Sequence, residues 1–294
     1  MVIVTGGTGY VGTAICRAIN ARGLMVTSVS RTRKPRPILD VGGKIEFRSA
    51  SVLDPAALDR HFVRADAVVH LVGIIVERKG HTYEKVHVEG TRNVVEAAKR
   101  AGVKRFLHMS ALGARLGAPT RYWQTKAEAE EIVKASGLDW TIFRPSIIYG
   151  EGDDFVNRFA GLARALPFMP VIGSGKTRLQ PIWVEDVATA FASALGNPET
   201  HGKSYDLGGP KPLSILEILD IVMRQIGKKR PKMHIPAPLM ALQAGLLEKL
   251  LKNPPVTREQ IKMLKEDSVC AIDGLAETFA LSMRPLEEGV RYYL

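Results

Sequence analysis

The chain has 294 residues, of which 46% are hydrophobic and 24% are charged. This balance is typical of a globular protein and excludes a disordered chain or a low-complexity fibre. Its 41 lysines and arginines outnumber its 30 aspartates and glutamates, which gives a formal net charge of +11. At roughly 150 residues per domain, the length predicts two domains or one large α/β unit with an appendage.

The positive charge is concentrated in the first half of the chain. Residues 1–150 contain 23 basic and 13 acidic side chains, whereas residues 151–294 contain 18 and 17. Nucleic acid, an anionic membrane or a phosphorylated small molecule would each explain this excess, and so would a basic surface without a specific partner. Because the basic residues do not alternate with stacking aromatic residues and no recognition motif is present, we expect no nucleic-acid partner.

Cysteine usage and hydropathy indicate a cytoplasmic protein. Cys16 and Cys270 show neither a disulfide framework nor the spacing of metal ligands, so we expect no metal site. The first apolar residues are not preceded by a basic segment, which argues against a signal peptide. No stretch reaches 18 apolar residues, so we expect no segment to span a membrane.

Short β-branched runs alternate with helical patterns through the first half. The predicted strands cover residues 2–4, 25–30, 45–47, 67–72, 105–109 and 140–143. The predicted helices between them cover residues 9–22, 55–62, 86–101 and 122–136. The strands are almost continuously apolar, as is typical of parallel strands that are buried on both faces. The fold class is therefore predicted to be α/β, with a Rossmann-type doubly wound parallel sheet.

The alternation of short strands and helices ends after Gly150. Residues 166–181 are rich in glycine and proline, residues 183–196 suggest a strand end followed by a helix, and residues 210–227 and 235–253 have helical patterns. We therefore assign residues 1–150 to the sheet domain and residues 151–294 to a smaller, mostly helical domain for a substrate or partner. Residues from about 176 to 205 are expected to return to the main sheet.

A glycine-rich turn follows the first predicted strand. Residues 5–12 read TGGTGYVG, with glycines at positions 6, 9 and 12. Gly6 would permit a tight turn, Gly9 would let the backbone approach a pyrophosphate, and Gly12 would let the next helix pack closely. The phosphates would lie at the helix N-terminus. A plain glycine turn is the alternative, but the position between strand and helix favours a dinucleotide site.

Basic residues follow the second predicted strand. An acidic residue at this strand end binds the ribose 2′-hydroxyl of NAD, whereas arginine accommodates the 2′-phosphate of NADP. Residues 31–36 read RTRKPR, with no acidic side chain within reach. The pattern favours NADP(H) over NAD, with Arg31 and Arg33 as candidate phosphate ligands, and assigns residues 1–150 to NADP(H) binding.

A serine, a tyrosine and a lysine form a candidate catalytic set. Ser110 follows the fifth predicted strand, and Tyr122 and Lys126 are four residues apart on a predicted helix, so they share one face. A nearby ammonium is expected to lower the pKa of the tyrosine, whose phenol could then exchange a proton with a carbonyl or alcohol. An ordinary amphipathic helix surface is the alternative for the Tyr-x-x-x-Lys pair.

The chain has a glycine turn first, then the serine, then the Tyr-x-x-x-Lys pair. This order of motifs resembles the short-chain dehydrogenase/reductase superfamily, in its extended or atypical branch. Further segments that match family patterns are residues 51–54, 71–73, 88–93, 144–150 and 184–188, so the likeness covers most of the chain. The resemblance implies an NADP(H) cofactor. The cofactor contacts that we predict are Gly6, Thr8, Gly9, Tyr10, Val11, Gly12, Arg31, Arg33, Ser51, Val52, Leu71, Val72, Gly73, His87, Met109, Lys126, Pro145, Ser146 and Ile148.

Within that branch, the chain is similar to a group that contains the nucleotide-binding accessory subunit of respiratory complex I and its free-standing bacterial relatives. The similarity rests on HMSALGA at 108–114, KAEAE at 126–130, GDDF at 152–155 and QPIWV at 180–184. Members of this group are thought to hold NADP(H), some without turnover. Because this chain keeps Ser110, Tyr122 and Lys126, the resemblance favours retained chemistry.

Two features leave alternatives open. The family pattern usually has asparagine where this chain has His87, and we interpret His87 as a structural histidine rather than a proton shuttle. Residues 237–252 predict a largely apolar helix, which either covers the core or contacts a membrane or a respiratory complex, with Lys249 and Lys252 flanking it. Such contact would place a cytoplasmic protein at the periphery of the inner membrane.

We interpret the chain as an NADP(H)-dependent oxidoreductase that moves hydride between nicotinamide and a carbonyl or alcohol carbon of a small substrate, with lipophilic compounds among the candidates. Tyr122 would exchange the proton, Lys126 would tune it and bind ribose, and Ser110 would orient the substrate. The alternatives are a non-catalytic NADP(H)-binding subunit or assembly factor of a respiratory complex, a redox-sensing regulator, and a nucleotide-sugar epimerase or dehydratase.

Overall fold

The computed structural model describes residues 1–31, 45–251 and 254–294. Seven parallel strands form the main sheet in the order β3-β2-β1-β4-β5-β6-β11. The strands are β1 Val2–Thr5, β2 Val26–Ser30, β3 Ile45–Ser49, β4 Ala67–His70, β5 Arg105–Met109, β6 Asp139–Pro145, β7 Ile148–Tyr149, β8 Met169–Ile172, β9 Arg178–Leu179, β10 Ile182–Trp183, β11 Lys203–Leu207, β12 Leu213–Ser214 and β13 Lys232–Ile235. The strand order reverses between β1 and β4, which confirms the predicted Rossmann-type sheet.

Helices cover both faces of this sheet. The helices in the described part of the chain, which include those on the sheet and those that follow it, are α1 Tyr10–Ala21, α2 Pro55–Phe62, α3 Gly90–Arg100, α4 Arg121–Lys134, α5 Val156–Ala165, α6 Val184–Ala194, α7 Ile215–Gln225, α8 Ala237–Leu250, α9 Arg258–Met263, α10 Leu275–Phe279 and α11 Leu286–Gly289. A π-helical turn, Glu84–Glu89, leads into α3, and 3₁₀ turns cover Pro198–Thr200 and Val290–Tyr292. The predicted helix over residues 86–101 therefore begins with a wider turn than expected.

Three apolar clusters hold these layers together. One contains residues of α1 and α6 against the sheet, including Ile15 and Phe191, and another contains α2 and α3 residues such as Leu58 and Val94 on the opposite face. A third joins α5, β8 and α7, where Ile218 and other apolar side chains are buried. Burial on both faces explains why the strands of the main sheet were recognisable as continuous apolar runs.

The chain after residue 150 contains more strands than the predicted helical pattern indicates. Short strands β8 and β13 pair with each other, as do β9 and β12. Helix α5 and strand β11 were not predicted, although β11 lies in the segment expected to return to the sheet. It pairs with β6 and extends the main sheet at that edge. The division into domains at residue 150 stays a prediction.

A buried arginine joins the sheet to the end of α6. Arg105, on β5, is 7% exposed, and its guanidinium donates to the Ala194 carbonyl at 2.7 Å and to the Thr200 hydroxyl at 2.8 Å. It also donates to the Asp139 carbonyl and the Thr141 hydroxyl, each at 2.7 Å. Burial lowers the pKa of Arg105 to about 10, while Asp139 opposes the change. These bonds fix the position of residues 194–200 on the sheet.

The turn between β1 and α1 depends on close backbone contact. Gly6 has a φ of +84°, a conformation that favours glycine, and its amide donates to the Val29 carbonyl at 2.8 Å. A Cβ atom at Gly12 would lie 2.2 Å from the Gly6 carbonyl oxygen, which is far inside van der Waals contact. The first turn of α1 therefore packs directly on the end of β1, as the glycine spacing predicts.

Replacing Gly12 by alanine is expected to lower the free energy of unfolding by about 3 kcal/mol, because the added methyl group would displace the turn. Gly161→Ala is the matched control: Gly161 is exposed on α5, with no atom within 4 Å of an added Cβ. That control is expected to gain about 0.5–1 kcal/mol from helix propensity. Urea unfolding measures both, and a Gly12→Ala protein as stable as wild type would contradict the packing.

Candidate functional site

The N-terminus of α1 and the end of β2 lie beside each other. Gly9 caps α1 without a side-chain hydrogen bond, and the first turn of α1 has no acidic residue. The Thr8 amide donates to the Ser30 hydroxyl at 3.3 Å, while Tyr10 and Val11 pack against the core. The helix dipole and the amide groups of this turn suit an anion.

The two predicted phosphate ligands differ in what the structure shows. Arg31 is exposed directly after β2, and its carbonyl accepts from the Ser49 hydroxyl at 3.1 Å. Arg31 therefore lies at the strand end where an adenine ribose lies in dinucleotide folds. Arg33 lies outside the described residues.

The segment after β3 packs against α3. The Val52 carbonyl accepts from the Asn93 side chain at 3.0 Å, and a Cβ at Gly90 would lie 2.9 Å from Val52 Cγ2. The Ser51 hydroxyl accepts from the Leu53 amide at 3.1 Å. Asp54, in the segment that resembles the family, accepts from the Ala57 amide and caps α2, so its carboxylate has a structural partner.

Lys126 lies buried where β5 ends. Its side chain is 4% exposed, and Nζ donates to the Met109 carbonyl at 2.6 Å. Burial lowers the pKa of Lys126 to about 8, and Glu130 opposes that change. The amine can therefore gain or lose a proton near neutral pH.

Ser110 follows Met109 and is also buried, with 4% exposure. Its amide donates to the Phe143 carbonyl at 2.7 Å, but its hydroxyl has no hydrogen-bond partner among the described residues. A buried hydroxyl without a partner is unfavourable unless a ligand or water bonds to it. This polar atom therefore leaves one hydrogen bond at the end of β5 to be completed by a ligand or by water.

Tyr122 does not have the predicted ionisation. It lies one turn before Lys126 on α4, half-buried, and packs against the small buried cluster of Ala111, Ala118 and Trp123. Burial raises its pKa to about 12, whereas the sequence led us to expect a lowered pKa. The prediction was wrong because burial destabilises the phenolate, and because the Lys126 amine is itself buried and bonded to a backbone carbonyl.

The turn after β4 meets the π-helical turn and α4 at His87. Leu71 is buried, Val72 is half-buried beside Gly6, and Gly73 faces both His87 and Lys126.

The His87 ring is 1% exposed, and both of its nitrogens have hydrogen-bond partners. These contacts agree with a structural histidine. Thr125, its partner on α4, was not predicted, since a threonine within a helical pattern gives no signal of its own.

The loop after β6 links the main sheet to the last third of the chain. Pro145 is buried, and its carbonyl accepts from the Leu112 amide at 2.9 Å. The Ser146 hydroxyl donates to the Ser268 carbonyl at 2.8 Å, and Ile148 pairs with Ile182. The Ser146 hydroxyl thus already has a protein partner, whereas the Ser110 hydroxyl has none in the described part of the chain.

Comparison with known proteins agrees with this geometry. Residues 2–208 match the family model described as the NAD dependent epimerase/dehydratase family. The chain belongs to this family. The match confirms the resemblance to the extended short-chain dehydrogenases/reductases and gives the chain an NAD(P)-binding fold.

Curated relatives fall into different functional classes. The mitochondrial 40 kDa subunit of NADH-ubiquinone oxidoreductase of Neurospora crassa is 28% identical over 279 residues, which cover 94% of this chain and 73% of that protein. A ceramide reductase of Caulobacter vibrioides is 32% identical over 199 residues, 67% of this chain and 62% of the relative. The match to the NADH-ubiquinone oxidoreductase subunit confirms the predicted similarity to the complex I subunit.

Solved structures share the fold. A Thermus thermophilus UDP-glucose 4-epimerase in complex with NAD superposes with a TM-score of 0.76 at 22% identity, covering 99% of this chain and 96% of that one. Over the described residues, no helix is long and apolar enough to cross a membrane, and no cluster of His, Cys, Asp and Glu could hold a metal ion.

The ionisation of Lys126 predicts a specific pH dependence of stability. The pKa of Lys126 in the folded protein is about 8, below its ordinary value of 10.5. Between these two pH values the unfolded chain binds more protons than the folded protein does. The free energy of unfolding therefore rises with pH in this range. The unfolding free energy of wild type minus that of Lys126→Met is expected to increase by about 2 kcal/mol from pH 7 to pH 10. Gln124→Met, which removes no ionisable group, provides the baseline. Urea unfolding at both pH values measures the difference, and a constant difference would contradict the buried amine.

Proposed function

We propose that this protein is an NADP(H)-dependent oxidoreductase that reduces a carbonyl group or oxidises the corresponding alcohol. The observation that carries the proposal is the buried Ser110 hydroxyl, which has no hydrogen-bond partner among the described residues. It lies near the buried amine of Lys126, which shares one face of α4 with Tyr122. These three groups lie at the carboxyl end of β5, the edge of the sheet that also carries the glycine turn.

The described residues fit a dinucleotide. The N-terminus of α1 suits the pyrophosphate. Among the described residues, a Cβ at Gly9 would meet the Gly6 carbonyl oxygen at 3.2 Å and no other atom within 4 Å. The exposed Arg31 at the end of β2 favours the 2′-phosphate of NADP over NAD. Lys126, at the end of β5, would bind the nicotinamide ribose.

The chemistry divides between the cofactor and the protein. A bound nicotinamide would transfer hydride to or from the substrate carbon. Tyr122 would donate its proton to the carbonyl oxygen, and its raised pKa is consistent with a phenol that is protonated at neutral pH. Ser110 bonds the same oxygen and orients it, and Lys126 would hold the nicotinamide ribose beside them.

The rim of this site supports a lipophilic, uncharged substrate. Ile75 is 56% exposed in the loop after β4, and Leu116 is 68% exposed in the loop after β5. Nearby cations face carboxylates: Arg115 pairs with Glu266 at 2.8 Å, and Arg121 is paired with Glu128 at 3.0 Å. Paired cations are poor ligands for the diphosphate of a nucleotide sugar, which makes an epimerase or dehydratase activity the weaker candidate.

Tyr122→Phe tests the catalytic role directly. Removing the proton donor is expected to lower kcat for NADPH-dependent carbonyl reduction by about 100-fold or more, with unchanged NADPH affinity. A panel of aldehydes, ketones and quinones, followed by NADPH absorbance, measures the rate. Tyr292→Phe, on an exposed tyrosine, is the control and should retain wild-type activity. Turnover that survives Tyr122→Phe would contradict the role.

Arg31→Asp tests the cofactor choice. Loss of the guanidinium and gain of a like charge are expected to weaken NADPH binding by about tenfold or more, while NADH binding is preserved. Arg22→Asp is the control, since Arg22 bonds the Ser193 hydroxyl on α6. Calorimetric titration with both nucleotides measures the change. Equal losses for NADPH and NADH would refute recognition of the 2′-phosphate.

A non-catalytic, NADP(H)-binding subunit or assembly factor of a respiratory complex is the second candidate. The names of the mitochondrial relatives favour it, as does α8, whose exposed side chains include Leu239, Leu242, Leu246 and Leu250. Lys252 and the side chain of Lys249 lie outside the described part of the chain. This candidate predicts co-purification with a membrane complex at the periphery of the membrane, and full function of Tyr122→Phe, which separates it from the enzyme.

A further inference from the structure

Three elements meet at the buried ring of His87. The ring belongs to the π-helical turn that precedes α3, and π-helical turns are frequent at functional sites. From the loop after β4, the Ile74 amide donates to His87 Nε2 at 3.0 Å. From α4, the Thr125 hydroxyl lies 2.9 Å from His87 Nδ1. One side chain thus connects the loop to the helix that carries Tyr122 and Lys126.

The hydrogen bonds define the tautomer. The Thr125 hydroxyl donates to backbone carbonyls of its own helix, at 2.9 Å to Arg121 and 3.1 Å to Tyr122, so its oxygen is left to accept from Nδ1–H. Nε2 accepts from the Ile74 amide and therefore carries no hydrogen. The Ile74 carbonyl, 3.1 Å from Nε2, would compete only if Nε2 were protonated. Burial, followed by the charge of Lys126, lowers the pKa of His87 to about 3, so the ring is neutral.

The imidazole ring of His87 lies against Tyr83 and against the proposed catalytic residue Tyr122. His87 stacks on Tyr83 with 5.5 Å between ring centroids and meets Tyr122 edge-on at 5.6 Å. A Cβ at Gly73 would lie 3.5 Å from His87 Nε2 and 3.8 Å from Lys126 Nζ. Movement of the ring would therefore change the surroundings of both proposed catalytic groups.

We propose that His87 is a positioning residue, whose neutral Nδ1–H imidazole ties the loop at residues 73–75 to α4 and thereby sets the position of Tyr122. Thr125 is the anchor of this link on the helix. The kinetic consequence rests on the proposed function, whereas the tautomer and the two hydrogen bonds do not.

Substitutions by side-chain amides can keep one of the two hydrogen bonds of His87 and remove the other. In His87→Asn the amide nitrogen lies near the position of Nδ1 and keeps the link to Thr125, and in His87→Gln the amide lies near Nε2 and keeps the link to Ile74. His87→Ala keeps neither. We expect kcat for NADPH-dependent reduction of 9,10-phenanthrenequinone to fall about tenfold in His87→Ala, with partial recovery in both amide variants. The affinity for NADPH should change less than kcat.

Controls exclude a general loss of structure. His61→Ala removes a histidine of α2 that takes no part in this link, and it should retain the wild-type rate. Thr125→Val, which keeps the shape of the side chain without its hydroxyl, should lower kcat in the same direction as His87→Ala. A wild-type kcat in His87→Ala, or recovery by neither amide, would overturn the positioning role.

Two further measurements do not depend on turnover. Selective ¹⁵N labelling of the seven histidines, with His87→Asn to assign the signal, should show a neutral ring protonated at Nδ1 at pH 7. The Ile74 amide should exchange slowly with deuterium in wild type and His87→Gln, and rapidly in His87→Ala. An Nε2–H tautomer or an unprotected amide would refute the link. If the wild-type protein neither binds NADPH nor reduces the quinone, the proposed function fails, and these two measurements still decide the role of His87 in the loop.

Discussion

The buried amine of Lys126 sets the conditions for every polar group around it. A charged amine with 4% exposure is stable only with hydrogen bonds, and the chain provides the Met109 carbonyl at the end of β5. The same charge lowers the pKa values of His70, His87 and His108, for which burial is the larger cause. Burial, reinforced by this cation, therefore keeps the surrounding imidazoles neutral, and the site avoids a second buried positive charge.

These neutral rings form a polar layer beneath the site. His70, on β4, bonds the Thr5 hydroxyl at 2.7 Å and the Thr91 hydroxyl at 3.1 Å, which connects β1, β4 and α3. His108 stacks on His70 with 5.4 Å between ring centroids, and its nitrogens have no hydrogen-bond partner among the described residues. Hydrogen bonds across the layer restrict how the strands can shift, so the ends of β1, β4 and β5 keep a fixed geometry on which a cofactor can bind.

Much of this arrangement was predictable from the sequence, because parallel strands end at one edge. Apolar runs located β1 to β6, and residues that follow β1 and β5 then had to share that edge, which placed the glycine turn near Ser110. Strand β11 was missed because Lys203–Leu207 is an edge strand with exposed polar residues and no apolar run. The pKa of Tyr122 was predicted in the wrong direction because burial, which dominates it, depends on tertiary packing. The π-helical turn and Thr125 leave no periodic signal at all.

The bonds of Arg105 also constrain the order in which the chain can acquire its structure. Its partners at Ala194 and Thr200 lie 89 and 95 residues further along the chain. Until that segment arrives during synthesis, the guanidinium has only its β6 partners, Asp139 and Thr141, and its remaining N–H groups must stay hydrated, so β5 cannot be fully buried. The nucleotide-binding half is thus not finished when its own last strand, β6, is made. The sheet can complete its packing only after α6 has been synthesised. A nascent chain that stops before residue 200 therefore exposes an incomplete apolar layer to other chains and to chaperones.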